Sequence, residues 1–199
     1  MKTRTFVLAG AGPGLLSSDS MNLMLSHETI GVNTTVKYPE IKPLLDYWIT
    51  CDGRMMTPGN KHYIVDYLKD CKFDKYVFSS DHWDKYCMDI PGIKLFKNTL
   101  TGPFGGYPKG TLALGWNNTV MTGAASLAKH LGATECVLVG SDYMGVTKQD
   151  GSLSDDDMNV ARKYAEKFFD GLGIPVYKTN PKSPINLRLY ENKLLNSSQ

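Results

Sequence analysis

No stretch of the sequence approaches the roughly 18 consecutive apolar residues that a membrane-spanning helix requires. The apolar run near the N-terminus is short and is interrupted by Gly12-Pro13-Gly14, which argues against an export signal. An excess of charge of one sign is lacking as well. The formal net charge is only +2, which is too small to favour nucleic acid or an acidic membrane surface as a partner. We therefore expect a cytoplasmic protein without a membrane span.

Cysteine is scarce and is not arranged in a redox or zinc motif. The four residues Cys51, Cys71, Cys87 and Cys136 include no C-x-x-C pair. Cys51 and Cys136 lie in apolar, strand-like runs, so buried free thiols are the favoured interpretation, with a Cys71–Cys87 disulfide as the alternative. The acidic and histidine residues at 81–84 lack the spacing that puts ligands on one helical face, so a solvated loop is expected there rather than a metal site.

Glycine, by contrast, is concentrated at an informative position. Phe6-Val7-Leu8 is an apolar run typical of a strand buried on both faces, and it leads into Gly10-Ala11-Gly12-Pro13-Gly14 and a helix-compatible stretch. A strand, a glycine turn and a helix start form a cradle for phosphate, because small residues let amide N–H groups approach the anion. The spacing G-x-G-P-G differs from the dinucleotide fingerprint, and a tight turn without a ligand is the alternative.

Repeated strand and helix patterns predict the fold. At 199 residues the chain is long enough for one sizeable core, and we expect a single domain over residues 1–199. Further strands are predicted at residues 28–33, 47–51, 76–80, 135–139 and 174–177, and helices at residues 17–25, 58–68 and 119–131 and after residue 157. This alternation indicates an α/β, doubly wound, Rossmann-like fold with a mostly parallel sheet.

The predicted strands end in small or polar residues, which should meet at one edge of the sheet. In parallel sheets, ligands bind beyond the carboxyl ends of the strands. Asn33 ends the second strand where a dinucleotide enzyme usually has an acidic residue, which argues against NAD; a turn residue is the alternative for Asn33. The predicted ligand-binding set at these ends comprises Gly10, Ala11, Gly12, Pro13, Gly14, Asn33, Thr34, Asp52, Gly140, Ser141, Asn180 and Ser183. Thr122 and Gly123, in the first turns of the helix at residues 119–131, are added because they are small enough for a ligand to approach closely.

A long segment rich in turn residues separates the two halves of the chain. Residues 91–115 contain repeated glycine and proline, and a loop of this length in a compact domain is usually functional or mobile. We interpret residues 98–116 as a possible lid over the site. A surface excursion or a contact in a homo-oligomer is an equal alternative.

Five of these motifs together resemble the bacterial CMP-sialic-acid-dependent sialyltransferases and their relatives. Those relatives are the flagellin-modifying motility accessory proteins and an archaeal-type pterin diphosphokinase. Residues 9–15 resemble the G-x-G-P-S-L loop of that superfamily, and Asn33 matches the asparagine that ends its second strand. Thr122-Gly123 looks like its T-S-G helix start, residues 137–142 resemble its G-I-D strand, and residues 177–184 resemble its C-P-N-S element.

The resemblance implies that the loop and strand tips hold a cytidine monophosphate, with a histidine as base and tyrosines assisting the phosphate. Carried over, Gly12, Gly14, Asn33, Thr122, Gly123, Asp142 and Ser183 would contact the nucleotide. The sequence departs from the pattern at Gly14, which replaces a serine, and between residues 143 and 177, where it has no histidine. Asp142 and Tyr143 are therefore the expected catalytic residues, with His62 or His82 as alternative bases.

Three functions follow from the resemblance. The first is a glycosyltransferase that uses a CMP-type nucleotide sugar, acts on a sugar or small acceptor and requires no cofactor. The second is a diphosphokinase, which would need Mg²⁺ held by Asp52 and Asp142. The third is a non-catalytic nucleotide-binding protein that kept the cradle and lost the base.

Overall fold

The computed structural model describes residues 3–78, 84–86, 89–98, 112–114, 119–141, 143 and 155–191. Within these ranges the strands are β1 (Thr5–Ala9), β2 (Glu28–Val32), β3 (Tyr47–Thr50), β4 (Asp74–Phe78), β5 (Ile93–Asn98), β6 (Leu112–Leu114), β7 (Glu135–Val139), β8 (Val176–Lys178) and β9 (Arg188–Leu189). The α-helices are α1 (Ser18–Ser26), α2 (Val65–Leu68), α3 (Val120–His130) and α4 (Asp155–Gly171).

The strands form one sheet in the order β6-β5-β4-β3-β2-β1-β7-β8-β9. Neighbouring strands in that order are parallel. From β1 the chain adds strands on one side as far as β6, and it then crosses to the other side of β1 to add β7. The strand order therefore reverses between β1 and β7, and the predicted α/β doubly wound fold is confirmed.

Side chains of the central strand β1 alternate between two core layers. Phe6 and Leu8 pack with residues of α3 and α4 on one face, whereas Val7 and Ala9 pack with α1 and α2 on the other. All four side chains are fully buried. This arrangement explains why β1 appears in the sequence as a continuous apolar run rather than as an alternating one.

Helix α3 has clear start and stop signals. The Thr119 side chain accepts a hydrogen bond from the Met121 N–H and caps the helix, and Gly132 ends it with a φ of +94°. Because α3 follows β6 and leads into the parallel strand β7, its N-terminus lies at the carboxyl edge of the sheet. Its small residues Ala124, Ala125 and Ala128 are fully buried and let the helix pack closely on the strands.

The helix predicted at residues 58–68 is wrong over most of its length. Only α2 is α-helical, and residues 57–62 form turns instead. Gly59 has a φ of +78°, and the Asn60 N–H donates to the Thr57 carbonyl oxygen. Left-handed backbone at Gly59 interrupts a helix that Pro58 would otherwise begin.

The glycine-rich segment at residues 91–115 contains two strands that the sequence interpretation treated as loop. Strand β5 pairs with β4, and β6 pairs with β5 at the edge of the sheet. Ile93 and Leu95 with Lys94 between them follow the alternation typical of a half-buried strand, and the surrounding turn residues concealed it. Of the predicted lid at residues 98–116, the structure describes only Asn98 and β6.

The apolar face of α4 differs from the predicted one. The spacing of Val160, Tyr164 and Phe168 predicts an apolar face for this amphipathic helix, but Val160 and Tyr164 are 47% and 44% exposed. The structure buries Ala165 and Phe169 instead, with Phe168 at the margin of the core. Two adjacent apolar stripes run along this helix, and only the packing of the helix on the sheet selects one of them.

Two further expectations concern cysteine and the membrane. Cys51, Cys71 and Cys136 are free thiols, as the favoured interpretation predicted, so the alternative disulfide at Cys71 is not formed. Cys87 lies outside the described residues. Of the helices that the structure describes, none has the length and apolarity to cross a membrane.

Candidate functional site

The loops that follow β1 and β7 are joined where the strand order reverses. The Gly10 N–H donates to the Val139 carbonyl oxygen at 2.8 Å, and the Gly12 N–H donates to the Gly140 carbonyl oxygen at 2.7 Å. These bonds extend the pairing of β1 with β7 beyond the regular strands. They fix both loops at the position where ligands bind in doubly wound sheets.

Two glycines make this close approach of the loops feasible. A Cβ atom on Gly10 would lie 2.6 Å from the Gly140 carbonyl oxygen and would also clash with the Ser141 side chain. Gly140 has a φ of +59°, and a Cβ there would collide with the Gly10 carbonyl oxygen. Each glycine therefore makes room for the backbone of the other.

This pairing limits how the glycine loop can hold an anion. The N–H groups of Gly10 and Gly12 already donate hydrogen bonds to main-chain carbonyl oxygens. A phosphate at this loop would therefore have to accept hydrogen bonds from other donors. Ala11 and Pro13 are exposed at the tip of the loop. Pro13 begins a short 3-10 turn, Pro13–Leu16, and the Ser20 hydroxyl donates to the Gly14 carbonyl oxygen at 2.8 Å.

The ends of β2 and β3 are linked through one buried threonine. The Thr50 hydroxyl donates to Asn33 Oδ1 at 2.9 Å and accepts from the Asp52 N–H at 3.1 Å. The Trp48 indole N–H donates to the Asn33 carbonyl oxygen at 2.8 Å. Asn33 has a φ of +48°, the left-handed geometry expected of a turn asparagine, and Thr34 beside it is half-buried.

Asp52 is held in place by Arg54. Its carboxylate accepts from the Arg54 backbone N–H at 3.0 Å and pairs with the guanidinium at 2.6 Å. Partial burial acts to raise the pKa of Asp52, but the hydrogen bonds and charge of Arg54, together with the charge of His62, hold it below its usual value. The carboxylate is therefore ionised and already neutralised by a neighbouring cation.

The N-terminal turn of α3 contains the next two predicted site residues. The Thr122 hydroxyl donates to the Thr119 carbonyl oxygen at 2.7 Å, and Thr122 is fully buried. Gly123 is also buried. Both residues therefore contribute to packing of the helix start at the carboxyl edge of the sheet.

Tyr143 lies beside this helix start in an unusual state. Its φ is +49°, it is 8% exposed, and none of the residues that the structure describes meets its buried hydroxyl with full hydrogen-bond geometry. Burial raises the pKa of the Tyr143 hydroxyl; the nearby Thr119 side chain opposes this shift and the Glu166 carboxylate adds to it. Strained backbone and an unpartnered buried hydroxyl are features that cluster at functional sites.

The turn after β8 carries the last two predicted residues. The Ser183 N–H donates to the Asn180 carbonyl oxygen at 3.1 Å, and Lys178 Nζ donates to the Ser183 carbonyl oxygen at 2.8 Å. The Thr179 hydroxyl reaches β7, where it donates to the Leu138 carbonyl oxygen at 2.9 Å. Ser183 is 4% exposed, so this turn is folded onto the sheet rather than extended over it.

The predicted residues thus fall into separate groups along one sheet edge. Gly10, Gly12, Gly140 and Ser141 lie together at the reversal, and Asn33 and Asp52 are joined through Thr50. The other groups are the start of α3 with Tyr143 and the turn at residues 180–183. Asp142, one of the two predicted catalytic residues, lies outside the described residues.

A cavity of about 510 Å³ lies elsewhere, against α4 and the starts of β8 and β9. Its lining includes Phe169, Ile174, Tyr177 and Arg188. These residues are at the amino edge of the sheet, opposite the predicted site. In the part of the chain that the structure describes, no group of three or more acidic, histidine or cysteine side chains is arranged to hold a metal.

Sequence reasoning missed two residues that shape the site, Thr50 and Arg54. In the sequence pattern Thr50 belongs to the strand predicted at residues 47–51, and Arg54 has no part in the predicted site. A threonine at the last position of a buried strand, between two polar strand ends, is the signal that could have identified the first.

No protein-family model and no curated protein sequence matches the chain. Among solved structures it is similar to the MAf glycosyltransferase of Magnetospirillum magneticum AMB-1, with a TM-score of 0.67 and 13% identity over 96% of this chain. The chain spans about a third of that protein, 34% of its length.

It is also similar to the sialyltransferase CstII of Campylobacter jejuni in complex with the substrate analogue CMP-3FNeuAc. The TM-score is 0.56 at 15% identity, over 96% of this chain and 87% of CstII. A mutant of CstII, an alpha-2,3/8-sialyltransferase, is similar with a TM-score of 0.56 at 16% identity, over 95% of this chain and 88% of the mutant. The fold resemblance inferred from the five motifs is therefore confirmed: a MAf glycosyltransferase and a sialyltransferase share the fold of this chain.

Proposed function

We propose that the protein is a glycosyltransferase that takes its sugar from a CMP-type donor bound at the carboxyl edge of the sheet, near the reversal between β1 and β7. The shared fold with two glycosyltransferases supports this proposal, as does the five-motif resemblance. The observation that carries it is the buried hydroxyl of Tyr143 beside the N-terminus of α3, for which no described residue provides a partner with full hydrogen-bond geometry. Such a hydroxyl and helix terminus favour an anionic oxygen as the missing partner.

In the proposed reaction an acceptor hydroxyl oxygen attacks the anomeric carbon, and the bond from that carbon to the CMP phosphate oxygen breaks. The raised pKa of Tyr143 keeps its hydroxyl protonated, so it can donate a hydrogen bond to the departing phosphate. Asp142, the residue before Tyr143, would accept the proton of the attacking hydroxyl. Asn33 and Thr34 would contact the nucleotide at the end of β2.

The Mg²⁺-dependent phosphoryl transfer alternative is less well supported. It needs Asp52 as a metal ligand, and that carboxylate is already paired with Arg54 at 2.6 Å. A metal would have to displace this cation. No feature of the described residues favours this alternative over glycosyl transfer.

A nucleotide panel tests the proposal directly. Thermal unfolding of the protein with CMP, CDP, UDP, ATP or NAD should show the largest stabilisation with CMP or CDP. Release of CMP from CMP-sialic acid in the presence of saccharide acceptors then measures turnover. Preference for ATP with Mg²⁺, or for NAD, would overturn the proposal, whereas CMP binding without turnover would support the non-catalytic alternative.

Replacing Tyr143 tests the role of its hydroxyl. Tyr143→Phe should lower turnover by about 10²-fold, the usual effect of removing one donor to a developing oxyanion. Tyr164→Phe is the matched control, because Tyr164 is 44% exposed on α4 and should leave turnover unchanged. Equal turnover in Tyr143→Phe and the wild type would remove Tyr143 from the mechanism.

A further inference from the structure

The hydrogen bonds of Thr50 have a fixed direction. Thr50 is fully buried, so its hydroxyl proton needs an acceptor inside the protein. The hydroxyl oxygen already accepts the Asp52 N–H at 3.1 Å, and a backbone N–H can only donate. The hydroxyl proton is therefore directed to Asn33, whose side-chain oxygen lies 2.9 Å away.

This direction decides which end of the Asn33 side chain remains for a ligand. An asparagine amide has an acceptor oxygen and a donor NH₂ group, and either could in principle face the crevice. Here Oδ1 is committed to Thr50, and the main-chain oxygen of Asn33 is committed to the Trp48 indole at 2.8 Å. Among the described residues, no hydrogen bond uses the NH₂ group of Asn33, so this group remains to interact with a ligand.

We propose that Thr50 is a positioning residue that makes Asn33 a hydrogen-bond donor, so that the nucleotide must present an acceptor oxygen or ring nitrogen at the end of β2. The proposal rests on the proposed function, because it concerns the same site. The buried hydroxyl lies between the two strand ends, and its chain of bonds runs in one direction: Asp52 N–H to Thr50, then Thr50 to Asn33. The ligand continues this chain as its final acceptor.

Two substitutions separate this role from simple packing. Thr50→Val removes the hydroxyl, frees the amide to rotate and should weaken CMP binding about tenfold, the effect of one lost hydrogen bond. Asn33→Asp keeps an oxygen for the Thr50 hydroxyl but replaces the NH₂ group by a second acceptor. It should weaken CMP binding by more than tenfold, because the ligand acceptor then faces a carboxylate oxygen.

The chain provides a matched control and a rescue variant. Thr35 is also fully buried, but its hydroxyl lies in the core beside Gly31 and Leu45 rather than between the strand ends, and no described residue is its hydrogen-bond partner. Thr35→Val should therefore leave CMP affinity within twofold of the wild type, and Thr50→Ser, which keeps the hydroxyl, should restore it. Isothermal titration calorimetry with CMP measures all five proteins. Wild-type affinity in Thr50→Val or Asn33→Asp would overturn the proposal.

A second measurement separates failure of this inference from failure of the proposed function. In the ligand-free protein, the side-chain NH₂ signals of Asn33 in ¹H–¹⁵N spectra should move in Thr50→Val and return in Thr50→Ser. If the wild type binds no nucleotide, the proposed function fails, and this spectrum decides the inference. Unmoved Asn33 signals would overturn it, and moved signals that return with serine would support it.

Discussion

Gly10 and Gly140 determine how closely the two loops at the strand reversal approach each other. Both lie where a side chain would collide with backbone atoms of the opposite loop. Their contribution is the absence of a Cβ atom. The close approach of these two loops therefore depends on two residues without side chains, and it allows the backbone hydrogen bonds that join the loops.

Gly140→Ala should destabilise the protein strongly. The new Cβ would lie 2.9 Å from Leu15 Cβ and would collide with the Gly10 carbonyl oxygen. The alanine would also have to adopt the left-handed backbone conformation of Gly140, with a φ of +59°. Strain and clash together should lower the free energy of unfolding by about 3 kcal/mol. Urea denaturation measures the loss.

Gly59→Ala is the control for backbone strain alone. Gly59 also has a left-handed backbone, with a φ of +78°, but a Cβ there meets nothing within 4 Å. This variant should lose only about 1 kcal/mol. Equal losses in the two variants would show that the contact between the loops contributes nothing.

At the element scale, a buried cation joins the turns before β4 and β5 at the amino edge of the sheet. Lys75 in β4 is fully buried. Its ammonium group donates to the carbonyl oxygens of Cys71, Phe73 and Pro91 at 2.8, 2.9 and 2.8 Å. One side chain thus joins the turn before β4 to the turn before β5, far from the candidate site.

Lys75→Met should destabilise the protein without affecting nucleotide binding. Methionine fills similar space but leaves three carbonyl oxygens without their donor, so we expect a loss of about 3 kcal/mol in the free energy of unfolding. Lys94→Met is the control, because Lys94 forms an exposed pair with Asp74 and should lose under about 1 kcal/mol. A Lys75 variant as stable as the Lys94 variant would contradict this interpretation.

The amino and carboxyl edges of the sheet differ. Only the carboxyl edge carries the loops that follow β1 and β7, between which the strand order reverses. The described cavity lies at the amino edge, whereas the polar strand ends lie at the carboxyl edge. Cavity volume alone would favour the first edge as the binding site. Topology favours the second, because ligands in doubly wound sheets bind beyond the carboxyl ends of the strands where the strand order reverses.

Hydrogen exchange measured by mass spectrometry distinguishes the two edges. With saturating CMP, amide exchange should slow in peptides that cover residues 10–17, 33–37 and 119–123. Peptides that cover residues 169–177, which line the cavity at the amino edge, should exchange as in the free protein. Protection confined to the cavity peptides would move the binding site to the opposite edge and would refute the proposed location.

Much of the fold could be predicted from the sequence because its signals are local. The buried runs of β1 and β7, the cap at Thr119 and the stop at Gly132 each depend on neighbouring residues only. Strand β5 was missed because glycine and proline nearby dominated the pattern. The buried face of α4 was assigned to the wrong stripe because helical periodicity identifies apolar stripes but not the surface that covers them.

The sequence by itself determined the class of fold, the strand ends and the polar residues placed there. These features depend on the direction of the chain and on the propensities of neighbouring residues, which the sequence shows directly. The tertiary structure alone decided which groups at those ends are already engaged. The amides of Gly10 and Gly12 donate to the end of β7 and the loop after it, and Thr50 orients Asn33. These pairings join residues from different strands, and a hydrogen bond between strands is fixed by the register of the sheet rather than by either segment alone.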